Sequence, residues 1–168
     1  RDPSSAASDV YKRQELSWSQ LDVKAAKIAT ILEEYGLKSD SKVGIYLHNS
    51  NEYLEAQYGV FKIEGVPINV NYRYKENELI YLLDNADAEA VFFQGCYSER
   101  IKAIKDQLPK IKVYIQIDDG TEPLMDGAID YESSISSSKE QKRFDRTEEN
   151  IYMLYTGGTT AVSYTHLR

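Results

Sequence analysis

Val43-Gly44-Ile45-Tyr46-Leu47, followed by Glu52 to Glu64 and then by Val66-Pro67-Ile68-Asn69-Val70, is the stretch on which the fold turns. The two five-residue runs are rich in β-branched and aromatic residues, as strands are. Between them Leu54, Tyr58 and Phe61 recur on one helical stripe. The connection is too long for a hairpin and long enough for a crossover, so the two strands are predicted to lie parallel in a βαβ unit. Working outward, Ala90-Val91-Phe92-Phe93 and Val113-Tyr114-Ile115-Gln116-Ile117 repeat the strand signal, and the four runs start 23, 24 and 23 residues apart. Helical patterns fill the gaps, over Lys75 to Asn85 with Leu79, Leu82 and Leu83, and over Ser98 to Leu108 with Ile101, Ile104 and Leu108. The units share nothing beyond hydrophobicity, which argues against a repeat array. The predicted class is α/β: a doubly wound, mostly parallel sheet with helices on both faces.

Ahead of the first strand, Ser19-Gln20-Leu21-Asp22 offers a capping hydroxyl with a carboxylate three residues on. Leu21, Ala25, Ile28, Leu32 and Tyr35 then follow at helical spacing until Gly36. After Ile117 the pattern loosens, and Asp118-Asp119-Gly120 and Ser133 to Lys139 read as surface loops. Order returns at Ile151-Tyr152-Met153-Leu154-Tyr155, read as a fifth strand.

Composition narrows the function. Twenty Lys and Arg against 27 Asp and Glu give the 168-residue chain a net charge of -7. No chain-wide basic field exists to neutralise nucleic-acid phosphates, so nucleic acid is not an expected partner. No apolar run approaches the length of a membrane span, and a soluble protein without an integral membrane segment is expected. Cys96 is the single cysteine, and with two histidines there is no cluster for structural zinc. A reducing cytoplasm fits.

The two ends read differently from the middle. Ser4 to Gln14, within the stretch Arg1 to Gln14, resembles the in-frame translation of a transposase-type sequencing adapter, and Val162 to Arg168 resembles the complementary adapter. Residues 1–14 and 161–168 are therefore expected to be non-native tails that share no core with the rest, and 15–160 the genuine insert. On this reading the codon for Ala161 joins two adapter bases to one native G.

Directly after the last strand stands Thr156-Gly157-Gly158-Thr159-Thr160, in which two residues tolerate positive φ and three carry hydroxyls. Such a loop can turn successive N–H groups and hydroxyls toward a polyphosphate. On composition alone an ordinary glycine-rich turn fits equally well. The spacing GxxxxGK[ST] is absent, so this is not a Walker A loop. Elsewhere His48, at a strand's carboxyl end, lacks an acid or nucleophile beside it in sequence and is read as structural or surface. Cys96, with only Arg100 near, is read as an inert thiol. Arg73 is read as shaping its turn rather than contacting ligand. The tyrosines are read as half-buried faces, and Asp118-Asp119 and Glu148-Glu149 as solvated loops.

Leu154-Tyr155-Thr156-Gly157-Gly158-Thr159-Thr160 resembles the phosphate-loop signature of the adenylate-forming superfamily, which includes acyl-CoA synthetases, luciferases and peptide-synthetase adenylation domains. There the signature continues as Gly-x-Pro-Lys-Gly, and a native codon beginning with G at 161 is compatible with that glycine. The upstream chain is similar as well. Leu16-Ser17-Trp18-Ser19-Gln20-Leu21 looks like the family's first helix entry, and Val43 to Ser50 like its first strand and following loop. Gly65 to Tyr74, Glu78 to Leu83 and Ala88 to Val91 are similar to the fatty and aryl acyl-CoA synthetases.

The resemblance implies ATP, Mg2+ and coenzyme A as cofactors and a small-molecule carboxylate as substrate. The carboxylate would become an acyl-adenylate with release of pyrophosphate, then a thioester with release of AMP. Thr156, Gly157, Gly158, Thr159 and Thr160 would hold the β- and γ-phosphates. The loop lysine has no counterpart in Ala161-Val162-Ser163-Tyr164, and the family's later catalytic segments are not matched. The chain is thus expected to be an inactive front fragment of an acid–thiol ligase. An aryl-CoA or luciferase-like ligase, or a non-catalytic nucleotide-binding domain, are the alternatives.

Overall fold

The computed structural model describes residues 16–141 and 150–155. Ser17 opens the first helix, α1 (Trp18–Glu34): its hydroxyl accepts from the Gln20 N–H at 3.2 Å, and the Gln20 side chain accepts from the Ser17 N–H at 2.9 Å. This reciprocal box places the cap two residues before the expected Ser19. Asp22, the expected capping carboxylate, instead meets the Lys62 ammonium at 2.6 Å. Leu21, Ala25, Ile28 and Leu32 are buried as their spacing predicts, whereas Tyr35 is 40% exposed at the helix end. Gly36, at φ +77°, supplies the left-handed turn that stops the helix.

The chain continues through β1 (Lys42–Tyr46), α2 (Asn51–Lys62), β2 (Val66–Asn69), α3 (Glu76–Asn85), β3 (Ala88–Gln94) and α4 (Ser98–Ile104), which a 3-10 turn (Lys105–Gln107) prolongs. Then come β4 (Val113–Ile117), β5 (Ala128–Asp130), α5 (Tyr131–Ser137) and β6 (Met153–Leu154). The strands lie in the order β5-β4-β3-β1-β2-β6 and every pairing is parallel. This is the doubly wound α/β sheet that the strand–helix alternation predicts.

Two cores sandwich the sheet. On one face Ile28 and Leu32 of α1, Val60 of α2 and Tyr131 and Ile135 of α5 pack against Val43, Ile45, Phe92 and Ile115. On the other, Leu79, Leu82 and Leu83 of α3 with Ile101 and Ile104 of α4 pack against Tyr46, Ile68, Val91 and Phe93. Successive strand residues feed opposite cores, which is why the strands read as unbroken apolar runs and not as alternating ones.

Helix α2 departs from expectation. Leu54 and Tyr58 of the predicted stripe are 45% and 43% exposed, and the inward residues are Glu55, Ala56, Gly59 and Val60. The reason is the closeness of α1: a Cβ added at Gly59 would sit 2.4 Å from Ile28 Cγ2. Only small residues fit that contact, so the large ones of α2 turn outward. Glu55, fully buried there, pairs with Lys24 at 3.0 Å and accepts from the Tyr131 hydroxyl, so that its charge is compensated.

The region after Ile117 holds more structure than its sequence suggests. Part of the expected loop Ser133 to Lys139 belongs to α5, capped by Asp130, whose carboxylate accepts from the Ser133 N–H at 2.8 Å. Serine hydroxyls at 134 and 137 bond back onto the carbonyls of Asp130 and Ser133, at 2.6 and 2.9 Å. The run Ile151 to Tyr155 supplies the sixth strand and not the fifth, with two residues in ladder register: Met153 opposite Ile68 and Leu154 opposite Asn69. Residues 1–14 and 161–168, expected to share no core, lie outside the described residues.

Candidate functional site

With all strands parallel, their carboxyl ends share one edge of the sheet. In such sheets ligands bind beyond that edge. The chain leaves β1 for the α2 face and leaves β3 for the α4 face, so the β1/β3 boundary is a point where the winding reverses. His48, Gln94 and Tyr97 meet there. The Gln94 side-chain oxygen Oε1 accepts from the His48 backbone N–H and, at 2.8 Å, faces His48 Nδ1. That bond places the proton on Nδ1 and leaves Nε2 to accept from the Tyr97 hydroxyl at 2.8 Å. His48, read from sequence as unpartnered, is therefore fixed by two neighbours from the adjacent strand and the turn after it.

A second knot lies beside it. Arg100 Nη1 donates to the Tyr46 hydroxyl at 3.0 Å and to the Tyr74 carbonyl at 3.2 Å, while Tyr46 donates to that same carbonyl at 2.8 Å. Burial pushes the Tyr46 phenol up, against the opposing pull of Arg100, and keeps it a neutral donor. The knot pins the loop that joins β2 to α3. Within that loop the Arg73 N–H donates to Asn71 Oδ1 at 3.0 Å and its guanidinium lies 5.1 Å from the Tyr72 ring. Cys96, on the rim, has its thiol pushed up to about 11 by burial and by the Asp119 carboxylate, which also accepts from its N–H at 3.0 Å. An inert thiol is what the sequence implied, with Asp119 the missing cause. Asp118 accepts from Gly120 at 2.8 Å and shapes its own turn, and the described residues hold no group of three His, Cys, Asp or Glu suited to a metal.

Between the carboxyl ends of β2 and β6 opens a cleft of about 420 Å³. Among the described residues that line it, Leu47 and Val70 are aliphatic; Asn49, Asn69 and Asn71 supply amides; Tyr53, Tyr72 and Tyr155 supply aromatic rings; Arg73 supplies the one charge. None of the described residues that line it is a carboxylate, although the chain as a whole is acidic. Tyr155 stands at its rim, and the next residue is Thr156. The residues expected to bind phosphate, Thr156, Gly157, Gly158, Thr159 and Thr160, lie outside the described residues, as do Glu148 and Glu149. The structure thus shows the strand and cleft that lead into the glycine loop.

Residues 1–163 match the AMP-binding enzyme family. The chain belongs to that family. Among its curated AMP-binding relatives is the 3-oxocholest-4-en-26-oate–CoA ligase of Rhodococcus rhodochrous, 41% identical over 150 residues, which cover 88% of this chain and 27% of that enzyme. A medium/long-chain-fatty-acid–CoA/3-oxocholest-4-en-26-oate–CoA ligase of Mycolicibacterium smegmatis is 37% identical over 149 residues, 87% of this chain and 27% of that one. The chain therefore spans about a quarter of the length of these relatives. Among solved structures, the N-terminal domain of FACL13 from Mycobacterium tuberculosis superposes with a TM-score of 0.73 at 20% identity, covering 88% of this chain and 35% of that one. The Brucella canis acyl-CoA synthetase gives 0.73 at 16% identity, over 87% and 27% of the two chains. These likenesses show that the chain shares its fold with those proteins.

Two groups of site residues escaped the sequence reading. Gln94 and Arg100 act through partners 46 and 54 residues away in the chain, and Tyr53 reaches Asn69 and Tyr152. The only signal available was register: once β1 and β3 are known to be neighbours, their ends must meet.

Proposed function

We propose that the complete protein is an AMP-forming acid–thiol ligase that makes an acyl-CoA. A carboxylate oxygen attacks the α-phosphorus of ATP and pyrophosphate leaves; the thiol of coenzyme A then attacks the acyl carbon and AMP leaves. One observation carries this reading within the AMP-binding family: the strand preceding Thr156-Gly157-Gly158-Thr159-Thr160 ends at a polar cleft whose described lining holds an arginine and no carboxylate. Asparagine amides, tyrosine hydroxyls and a guanidinium suit a polyanion, and a carboxylate on that rim would repel one.

The hydroxyls and N–H groups of residues 156–160 would then hold the β- and γ-phosphates. Mg2+ would arrive with the triphosphate and be held by residues outside those described. The named relatives act on sterol side-chain and medium- to long-chain fatty carboxylates, which makes a fatty or sterol acid our first choice over an aryl acid. A cytoplasmic setting agrees with the free Cys96, and no described helix is long and apolar enough to cross a membrane. We further propose, on their codon match alone, that residues 1–14 and 161–168 are adapter-encoded and that 15–160 is the native part.

The test is to recover the source locus, express the complete reading frame and incubate it with ATP, Mg2+, coenzyme A and a panel of carboxylates. The panel holds 3-oxocholest-4-en-26-oate, medium- and long-chain fatty acids and benzoate. Acyl-CoA and AMP should accumulate in equal amounts with a fatty or sterol acid. A native frame that closes soon after residue 160, or no AMP with any acid, would favour a nucleotide-binding domain without chemistry.

A further inference from the structure

Strand β6 is held by remarkably little burial for the element that delivers the glycine loop: two ladder residues on β2, with Ile151 and Leu154 62% and 60% exposed. A two-residue ladder alone is marginal in water. Two hydrogen bonds flank it instead. After the strand, the Tyr155 hydroxyl donates to Asn85 Oδ1 at 2.7 Å, reaching the last residue of α3. Before it, the Tyr152 hydroxyl meets the Tyr53 hydroxyl at 2.7 Å, and Tyr53 lies 3.0 Å from Asn69 Oδ1 at the end of β2. An amide oxygen only accepts, so Tyr53 donates to Asn69 and accepts from Tyr152.

Tyr152 and Tyr155 are three residues apart on an extended chain and so face opposite sides of the sheet. Their packing agrees: Tyr53, the partner of Tyr152, lies against the core under α1 and α2, and Tyr155 lies against the core under α3 and α4. Burial pushes the Tyr53 and Tyr155 phenols up, so both stay neutral donors through the ordinary pH range.

We propose that Asn85 and Tyr53 are positioning residues for the segment that follows β6, gripping the strand from both faces so that the chain leaves Tyr155 from a fixed place. The proposal rests on the ligase reading only for its ligand, the triphosphate of ATP. Each acts through a tyrosine that brackets the strand; Asn85 does not line the cleft whereas Tyr53 does, so the readout on ATP is taken from Asn85.

Two measurements test it. In the 168-residue chain, amide hydrogen exchange over Met153 to Tyr155 should quicken about fivefold in Asn85→Ala, as expected for losing one neutral hydrogen bond, and at least as much in Tyr53→Phe, which loses two. Exchange in β1, β3 and β4 should not change, since Asn85 is exposed. Asn85→Asp keeps an acceptor oxygen and should restore protection. In the complete protein, ATP–pyrophosphate exchange should show KM for ATP raised about fivefold in Asn85→Ala, KM for the carboxylate unmoved, and recovery in Asn85→Asp. Unchanged exchange over Met153 to Tyr155 in both variants would overturn the proposal, and so would a loosened strand with an unaltered KM for ATP. An inactive unsubstituted parent would count against the ligase reading, and hydrogen exchange would still decide whether the clamp exists.

Discussion

Replacing Gly59 by alanine should destabilise this protein, although an isolated helix would gain from it. The new Cβ would stand 2.4 Å from Ile28 Cγ2, 2.7 Å from Ile28 Cβ and 3.3 Å from the Ala25 carbonyl oxygen. A rotamer change cannot relieve this, because Ile28 is β-branched and its Cβ is itself too close. Helices α1 and α2 must separate by about 1 Å, loosening a contact that includes the buried Ala25 and Ile28. Overpacking of this kind costs about 1–3 kcal/mol. Alanine returns up to about 1 kcal/mol of helix propensity. The net loss should be about 1–2 kcal/mol, read as a lower urea midpoint with unchanged slope and a melting temperature reduced by about 3–6 °C. Ile28→Ala alone should cost about 2–5 kcal/mol, and in that background Gly59→Ala should become neutral or stabilising. A Gly59→Ala chain that melts higher than the parent would show that the two helices are not in tight contact.

Three further outcomes are expected. Tyr131→Phe removes the hydroxyl that donates to the buried Glu55 and should lower stability by about 1–3 kcal/mol in urea titration, whereas Tyr35→Phe at the exposed helix end should change it by less than about 0.5 kcal/mol. Cys96 has a raised pKa, so its thiolate is scarce near neutrality; iodoacetamide should label it slowly at pH 8 and faster as pH climbs toward about 11, and Asp119→Asn should quicken labelling at pH 8. Equal labelling of folded and urea-unfolded chain at pH 8 would contradict this. The 168-residue chain itself should release no pyrophosphate from ATP with any carboxylate, since Ala161-Val162-Ser163-Tyr164 offers no loop lysine; turnover would refute that.

What the sequence disclosed follows the length of each signal. The strands around Val43, Val66, Ala90 and Val113 and the helices bearing Leu79 and Ile101 were legible because a doubly wound sheet buries both faces and so demands long apolar runs. Strand β5 has three residues and α5 is serine-rich, so neither carries a period that composition can reveal. In α2 hydrophobic size alone points Leu54 and Tyr58 inward, whereas closeness to α1 selects Ala56 and Gly59 for the buried face. For the site, Thr156 to Thr160 lie outside the described residues, and Arg73, read as shaping its turn, bonds Asn71 through its backbone N–H and also lines the cleft. The links among Tyr53, Asn69 and Tyr152, or among Tyr46, Tyr74 and Arg100, were not legible, because they join residues brought together only by strand order.

Acyl-adenylate chemistry is diagnosed most directly by where the carboxylate oxygen goes. The complete protein should be supplied with a fatty or sterol acid labelled with oxygen-18 in its carboxylate, together with ATP, Mg2+ and coenzyme A, and the nucleotide product examined by mass spectrometry. Attack of that oxygen on the α-phosphorus, followed by thiolysis at the acyl carbon, predicts AMP carrying one labelled oxygen. Unlabelled AMP, or ADP with the label in inorganic phosphate, would contradict it.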